Sequence, residues 1–168
     1  HGNSDEEFES RNAVLSFSDN KEIAALYAKS PNNFNDIAEN PRVGAYKVDI
    51  QKPAFNNPDD PFIDVSELIE LIGEKASFEA VIEFQDYIYH TNNWNEISEQ
   101  NDVINVQELF DRGLVEEVKK LYFDFYPISA SVKYLNIFKE KGYDGYIHGG
   151  SGSGAGTVEY KPFSLDQI

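Results

Sequence analysis

The length, composition and charge of the chain limit what it can be. Its 168 residues, 40% hydrophobic and 14% aromatic, are enough for one globular domain with a core and exclude disorder along the whole chain. The balance of 14 basic and 30 acidic residues gives a net charge of −16, which disfavours nucleic acid or an anionic membrane as partner, and the absence of cysteine excludes disulfides, thiolate catalysis and cysteine-ligated metals.

The first part of the chain predicts a strand, a helix and a second strand. Residues 13–18 form a short apolar run bounded by polar residues, which is typical of a buried strand. Asp19-Asn20 then provides an N-cap for a helix that starts at Lys21, and Ser30-Pro31 ends its apolar periodicity. Residues 43–50 alternate between apolar and polar side chains and predict the second strand.

The middle of the chain predicts a helical insertion over about residues 56–128. Helical spacing of apolar residues predicts helices over 65–72, 78–89 and 106–122. The polar stretch 91–102, around the single tryptophan Trp94, predicts a loop. Recognition of a target by the helical middle, including Trp94, is a hypothesis that no motif supports.

The last part of the chain predicts one helix and two strands. Residues 131–141 have an apolar face, and Gly142 follows them where a glycine cap belongs. Strands are expected over 143–148 and 157–163, joined by the glycine-serine loop 149–156. Without a repeat or a dividing linker, the sequence predicts one α+β domain over 1–168.

Familiar catalytic motifs do not explain the chain. The glycine-serine loop lacks the lysine of a phosphate-binding P-loop, and a strand follows it where a dinucleotide motif needs a helix, so a flexible connection is the simple alternative. The histidines His1, His90 and His148 lack the spacing of metal ligands, and no metal is expected. No Gly-x-Ser-x-Gly elbow supports Ser-His-Asp catalysis.

Three separated pieces, read together, form a more specific pattern. They are His1-Gly2, the run 16–28, which ends with Ala24-Ala25-Leu26-Tyr27-Ala28, and Thr157-Val158-Glu159-Tyr160. The combination resembles the His-Tyr-Glu branch of the ADP-ribosyltransferases, which includes diphtheria toxin and the poly(ADP-ribose) polymerases. It is most similar to the short domains of this kind in phage polyvalent and virion-associated proteins, whose closing segments correspond here to Gly142-Tyr143-Asp144-Gly145-Tyr146-Ile147, Glu159-Tyr160, Phe163 and Gln167-Ile168.

The resemblance covers roughly the first 50 residues and the last 30, and it implies a fold, a substrate and a site. The implied fold is an ADP-ribosyltransferase-like split β-sandwich, with the helical insertion in its middle. The implied substrate is NAD, cleaved at the nicotinamide–ribose bond. The implied NAD-binding residues are His1, Gly2, Ser16, Phe17, Ser18 and Tyr27.

Within this implied site each residue has a task. His1 would bind the adenosine ribose and the Gly2 backbone the nicotinamide carboxamide, while Tyr27 would stack on the nicotinamide ring. Glu159 is the implied catalytic residue: it would bind the ribose 2′-hydroxyl and stabilise the oxocarbenium-like state formed as nicotinamide leaves. The loop 149–156 would lie beside the acceptor.

Three departures from the family pattern keep other functions open. Ser16 stands where the first tyrosine of the branch belongs, with Phe17 as a possible substitute, and Ala24 replaces a serine that bonds the carboxamide. Thr157 is neither Glu nor Gln, unlike the arginine-modifying branch. The alternatives are an NAD glycohydrolase and a non-catalytic binding or structural module of a phage protein. An acidic DNA mimic is disfavoured because the acidic residues are spread along the chain.

The sequence therefore predicts a mono-ADP-ribosyltransferase that modifies a host macromolecule, expected to be a protein. The first residue is histidine rather than methionine, which suggests a processed chain or part of a longer protein. No apolar run approaches the roughly 18 residues of a membrane span, so we expect a soluble, phage-encoded protein acting in the cytoplasm of a bacterial host.

Overall fold

A computed structural model describes residues 15–29 and 42–168, which mix helices and short strands and confirm the predicted α+β class. The described strands are β1 (Phe17–Ser18), β2 (Pro53–Asn57), β3 (Phe62–Asp64), β4 (Tyr122–Asp124), β5 (Gly145–Gly149) and β6 (Val158–Pro162). The described helices are α1 (Lys21–Lys29), α2 (Val65–Ile72), α3 (Glu74–Glu83), α4 (Gln85–Ile88), α5 (Asn92–Asn101), α6 (Val106–Asp111), α7 (Val115–Lys119), α8 (Tyr126–Ser129) and α9 (Val132–Glu140).

The chain divides into two compact units. The first contains the described residues up to Pro61 together with Ser129–Ile168, and the second is Phe62–Ile128. The second unit falls within the segment 56–128 that the sequence predicts as a helical insertion. That the whole chain behaves as one domain stays a prediction.

The first unit contains a four-stranded sheet in the order β1-β6-β5-β2. Strand β6 pairs antiparallel with both β1 and β5, whereas β2 pairs parallel with β5. The antiparallel β5–β6 pair follows from the short glycine-serine connection between these strands, since a short loop reverses the chain direction. Pro53 begins β2 and Pro162 ends β6, positions at which a strand tolerates the missing N–H.

The core of the first unit is built from aromatic side chains. One face of α9 buries Tyr134, Leu135 and Phe138, as its apolar spacing predicts. Phe138 meets Tyr146 of β5 edge to face at 5.3 Å between ring centroids, and Tyr146 meets Phe163 at 4.6 Å. Burial raises the pKa of the Tyr146 phenol, which therefore stays neutral.

The start of one predicted helix and the end of another agree with the structure, whereas the predicted stop of the first at Ser30-Pro31 lies outside the described residues. The side-chain Oδ1 of Asn20 accepts from the N–H groups of Glu22 and Ile23 and so begins α1, which ends at Lys29. Gly142 follows α9 with a φ of +80°, the left-handed conformation that glycine adopts without strain.

The predicted strand over residues 43–50 is wrong. These residues have no regular secondary structure, and Val43 and Tyr46 are 39% and 54% exposed. The strand of this region is β2, which begins at Pro53 and pairs with β5 instead. Alternating side chains are typical of a half-buried strand, but a segment becomes one only when a neighbouring strand completes a ladder of hydrogen bonds with it.

The helices of the second unit are shorter than the sequence predicts. Helix α2 matches its predicted range, but the helix expected over 78–89 is two helices, α3 and α4, which meet at Phe84. The helix expected over 106–122 breaks at Gly113, whose φ is +69°. Its end at Tyr122 belongs instead to β4, which pairs antiparallel with β3.

The predicted loop over residues 91–102 is also wrong, because most of it is helix α5. The hydroxyl of Thr91 accepts from the backbone N–H of Trp94 and caps the helix. Trp94 and Ile97, three residues apart, are its buried side chains, at 6% and 4% exposure. Two apolar positions among asparagines and glutamates give too weak a periodicity for the helix to stand out in the sequence.

Asp144 holds the turn before β2 in place, which leads to a prediction for stability. Its carboxylate accepts from the backbone N–H of Gln51 at 2.8 Å and of Lys52 at 2.7 Å. Because Asp144→Ala leaves both donors without this acceptor, we expect it to lower the free energy of unfolding by about 2 kcal/mol. Urea unfolding followed by tyrosine circular dichroism measures the change. Asp59→Ala, which removes an exposed carboxylate, is the control, and equal midpoints for the two variants would contradict the assignment.

Candidate active site

A row of polar residues crosses the sheet of the first unit. Ser18, Glu159, His148 and Asn57 lie directly opposite one another on β1, β6, β5 and β2. Residues that face each other across neighbouring strands point to the same side of a sheet. Glu159 therefore lies in the interior of the sheet, with a neighbouring strand on each side, and its surroundings are set by the strand register.

One oxygen of the Glu159 carboxylate is held by two donors. Oε2 accepts from the Ser16 hydroxyl at 2.9 Å and lies 3.3 Å from the ammonium nitrogen of Lys161. Lys161 is only 4% exposed, and its Nζ also donates to the Ser129 hydroxyl at 2.7 Å. The carboxylate is thereby fixed in orientation as well as in place.

Opposing influences act on the ionisation of Glu159. Burial is the largest and raises the pKa, because removal from water disfavours the charged form. Electrostatic interactions with Lys161 and then with His148 lower the pKa, and hydrogen bonds from Ser16 and Lys161 lower it further. The lowering influences prevail together, so the pKa of Glu159 lies below its ordinary value and the carboxylate is charged at neutral pH.

The other carboxylate oxygen faces the glycine-serine loop. A Cβ atom at Gly154 would lie 3.5 Å from Oε1 of Glu159 and 3.9 Å from the hydroxyl oxygen of Tyr27. The catalytic carboxylate implied by the family resemblance and the implied stacking tyrosine thus border the same space. Tyr27 is 45% exposed, so a ligand can reach its ring from solvent.

Internal hydrogen bonds shape this loop. The N–H of Gly150 donates to the Thr157 carbonyl at 2.7 Å, and the Thr157 hydroxyl donates to the Gly154 carbonyl at 2.7 Å. A Cβ atom at Gly150 would come within 2.2 Å of that same carbonyl oxygen, so only glycine fits there. These contacts fix the loop beside Glu159, which a simple flexible connection would not require.

Ser16 is bonded to Glu159 and Tyr27 lies near the same loop, but Phe17 is on the other side of the sheet and the Ser18 hydroxyl has another task. Phe17 pairs with Tyr160, one position along from Glu159, and so points to the other side of the sheet. Ser18 lies opposite Glu159, but its hydroxyl accepts from the N–H of Asn20 at 3.1 Å and supports the turn into α1.

Two further residues of the implied site, His1 and Gly2, lie outside the described residues.

Sequence reasoning did not identify Lys161, His148 and Ser129 as members of this cluster. Lys161 was detectable, because it lies two residues after Glu159 in a predicted strand and so shares its face. His148 becomes visible only with the register of β5 and β6. Ser129 carries no sequence signal, since only the tertiary fold brings it to Lys161.

The cluster offers a charged, oriented carboxylate beside an accessible aromatic ring. A negative charge fixed in this way can stabilise a positive charge that develops on a bound substrate. Within residues 15–29 and 42–168, no group of three His, Asp or Glu side chains could hold a metal ion. Among the same residues, no helix has the length and apolar character needed to cross a membrane.

Comparison of the chain with protein-family models, curated proteins and solved structures found no match. The geometry of Glu159 and its neighbours therefore carries the functional argument.

Proposed function

We propose that this protein is a mono-ADP-ribosyltransferase, which cleaves NAD at the nicotinamide–ribose bond and transfers ADP-ribose to a protein of a bacterial host. The observation that carries the proposal is that Glu159, hydrogen-bonded to Ser16, borders the space beside Gly154 together with the hydroxyl of Tyr27. These residues come from distant parts of the chain, and the family resemblance implies each of them as part of the NAD site. In this proposal the four-stranded sheet belongs to an ADP-ribosyltransferase-like split β-sandwich.

The proposed reaction breaks one bond and forms one. The bond from ribose C1′ to the nicotinamide nitrogen breaks, and its electron pair leaves with nicotinamide as a neutral molecule. The ribose then carries positive charge, which the ionised Glu159 stabilises while Oε1 binds the ribose 2′-hydroxyl. A nucleophile of the acceptor forms the new bond to C1′ and releases its proton.

The remaining residues would hold NAD in place for this step. Tyr27 would stack on the nicotinamide ring. Its side chain is available for this contact because 45% of the residue surface is exposed. Ser16 would keep the Glu159 carboxylate turned towards the ribose through its bond to Oε2. His1 would bind the adenosine ribose, and the backbone of Gly2 would bind the nicotinamide carboxamide.

One observation favours a second candidate, a non-catalytic module of a phage protein that retains the fold. The family branch has a tyrosine at the position of Ser16, which forms a second wall for nicotinamide. Phe17 points away from Glu159, so it does not take over this role. A single stacking residue would bind NAD more weakly than two. An NAD glycohydrolase, in which water is the acceptor, would use the same site.

The experiment that tests the proposal combines labelled NAD with a bacterial lysate and follows both nicotinamide release and label on macromolecules. We expect the unaltered protein to give both signals and Glu159→Ala to give neither. Release without labelling would establish the glycohydrolase instead. The absence of both signals from a folded protein that contains His1 and Gly2 would leave the non-catalytic module.

A side chain at Gly154 is expected to block the site. The φ of Gly154 is outside the left-handed region, so its backbone accepts a side chain, and the space that a valine would fill lies between Glu159 and Tyr27. We expect Gly154→Val to reduce NAD cleavage on the order of 100-fold, because NAD could no longer approach in a productive position.

The matched control is Ala155→Val, since Ala155 is exposed in the same loop. Initial rates of nicotinamide release measure both variants, and their circular dichroism verifies folding. If Gly154→Val and Ala155→Val lose the same activity, the effect belongs to the loop as a whole. That result would contradict a specific role for Gly154.

A further inference from the structure

Lys161 is a buried lysine that contacts Ser129 and Glu159 and lies on the face of the sheet that carries Glu159. Its side chain is only 5% exposed, and its ammonium lies 2.7 Å from the Ser129 hydroxyl and 3.3 Å from Oε2 of Glu159. Removing an ammonium group from water is costly unless it is hydrogen-bonded and paired with an anion. The hydroxyl of Ser129 and the carboxylate of Glu159 therefore offset the cost of burying the Lys161 ammonium.

The two carboxylate oxygens of Glu159 have different neighbours. Ser16 and Lys161 both bind Oε2, whereas Oε1 is the oxygen nearest the Gly154 space. A carboxylate anchored through one oxygen has little freedom to rotate, and its other oxygen keeps a constant direction. This arrangement leaves Oε1 available for a substrate hydroxyl.

We propose that Lys161, steadied by Ser129, is a positioning residue that anchors Oε2 of Glu159 and keeps its carboxylate charged, so that Oε1 faces the substrate. The inference rests on the proposed function in so far as that substrate is NAD. It adds two residues that the family resemblance did not select. Lys161 acts through Glu159 and does not itself touch the reacting atoms.

A purely structural role for Lys161 makes a different prediction. If Lys161 only filled space and satisfied Ser129, its replacement would change stability but leave the titration of Glu159 where it is. If Lys161 holds the charge on Glu159, removing the ammonium makes the carboxyl group easier to protonate. The pH at which Glu159 titrates therefore separates the two roles.

Other titratable groups near Glu159 have to be counted in this titration. His148 faces it from β5, Tyr27 approaches from α1, and the Asp19 carboxylate accepts from the N–H of Val158 between β1 and α1. Because a change at Lys161 leaves all three in place, a difference between the variants reports on Lys161.

The test is a carbon-13 NMR titration of the glutamate carboxyl groups in the full chain, with the Glu159 signal assigned by its loss in Glu159→Gln. Lys161→Met keeps the aliphatic volume and removes the charge. Lys141→Met, at an exposed lysine of the same unit, is the control. In parallel, nicotinamide release is measured against pH for the same proteins.

We expect Glu159 of Lys161→Met to titrate at higher pH than in the unaltered protein, with the acid limb of the activity profile moving in the same direction. An unchanged titration would overturn the proposal. If Lys161→Met does not fold, the unaltered protein decides the matter: its Glu159 should titrate below the ordinary range of a glutamate, and titration within that range would overturn the proposal. A shifted titration without NAD cleavage by the unaltered protein would refute the proposed function while supporting the link between Lys161 and Glu159.

Discussion

Glu159→Gln is expected to reduce nicotinamide release from NAD by on the order of 100- to 1,000-fold. The substitution keeps the size of the side chain and removes the negative charge that the proposal places beside the ribose cation. It also keeps an oxygen for Ser16, so the geometry around the former carboxylate is largely conserved. Initial rates of nicotinamide release at saturating NAD measure the effect.

Two comparisons make this result specific to Glu159. Glu22→Gln removes an exposed carboxylate from the first turn of α1 and should leave the rate unchanged. Circular dichroism of each protein establishes that it is folded, which matters because Lys161 loses its anionic partner in Glu159→Gln. A folded Glu159→Gln protein that releases nicotinamide at the rate of the unaltered one would refute the catalytic role.

Phe138→Ala is expected to destabilise the first unit by about 3–5 kcal/mol. Phe138 is fully buried and meets two rings, Tyr143 at 6.0 Å and Tyr146 at 5.3 Å between centroids. Truncation removes these contacts and leaves a cavity between α9 and the sheet. Urea unfolding followed by hydrogen exchange at the amides of β5 measures the loss in this unit.

The chain supplies two internal controls for this substitution. Val132→Ala, at a 61% exposed position of the same helix, should change stability by no more than about 0.5 kcal/mol. The fluorescence of Trp94 reports on the second unit, in which that residue is buried. Equal destabilisation by the two alanine variants would contradict the position given to Phe138 in the core.

Local signals were enough to predict some elements of the fold. Helix α1 follows from the Asn20 cap and α9 from its apolar spacing and Gly142, because these signals act within a few residues. Strands β5 and β6 were predicted within two residues of their ends, since buried strands flank a glycine-rich loop.

Elements that depend on distant partners were not predicted. Residues 43–50 have a strand-like pattern but form no strand, whereas β2 obtains its hydrogen bonds from β5, far along the chain. Strands β3 and β4 contain three residues each and stabilise one another, so neither has a pattern long enough to recognise.

In the candidate site, too, some residues could be predicted from the sequence and others depend on distant partners. The family resemblance implies Ser16, Tyr27 and Glu159; in the structure Ser16 donates to Glu159, and Glu159 and Tyr27 both lie near Gly154. The surroundings that set the charge of Glu159 depend on register and tertiary contact, which is why His148 and Ser129 could not be placed from the sequence.

The central claim is that NAD binds beside Glu159, Tyr27 and Gly154, and an NMR titration with NAD tests it most directly. Glu159→Gln is the protein to use, because slow turnover leaves NAD intact during the measurement. The account predicts amide shift changes concentrated in β1, α1 and residues 150–159. No change at saturating NAD, or changes confined to Phe62–Ile128, would contradict it.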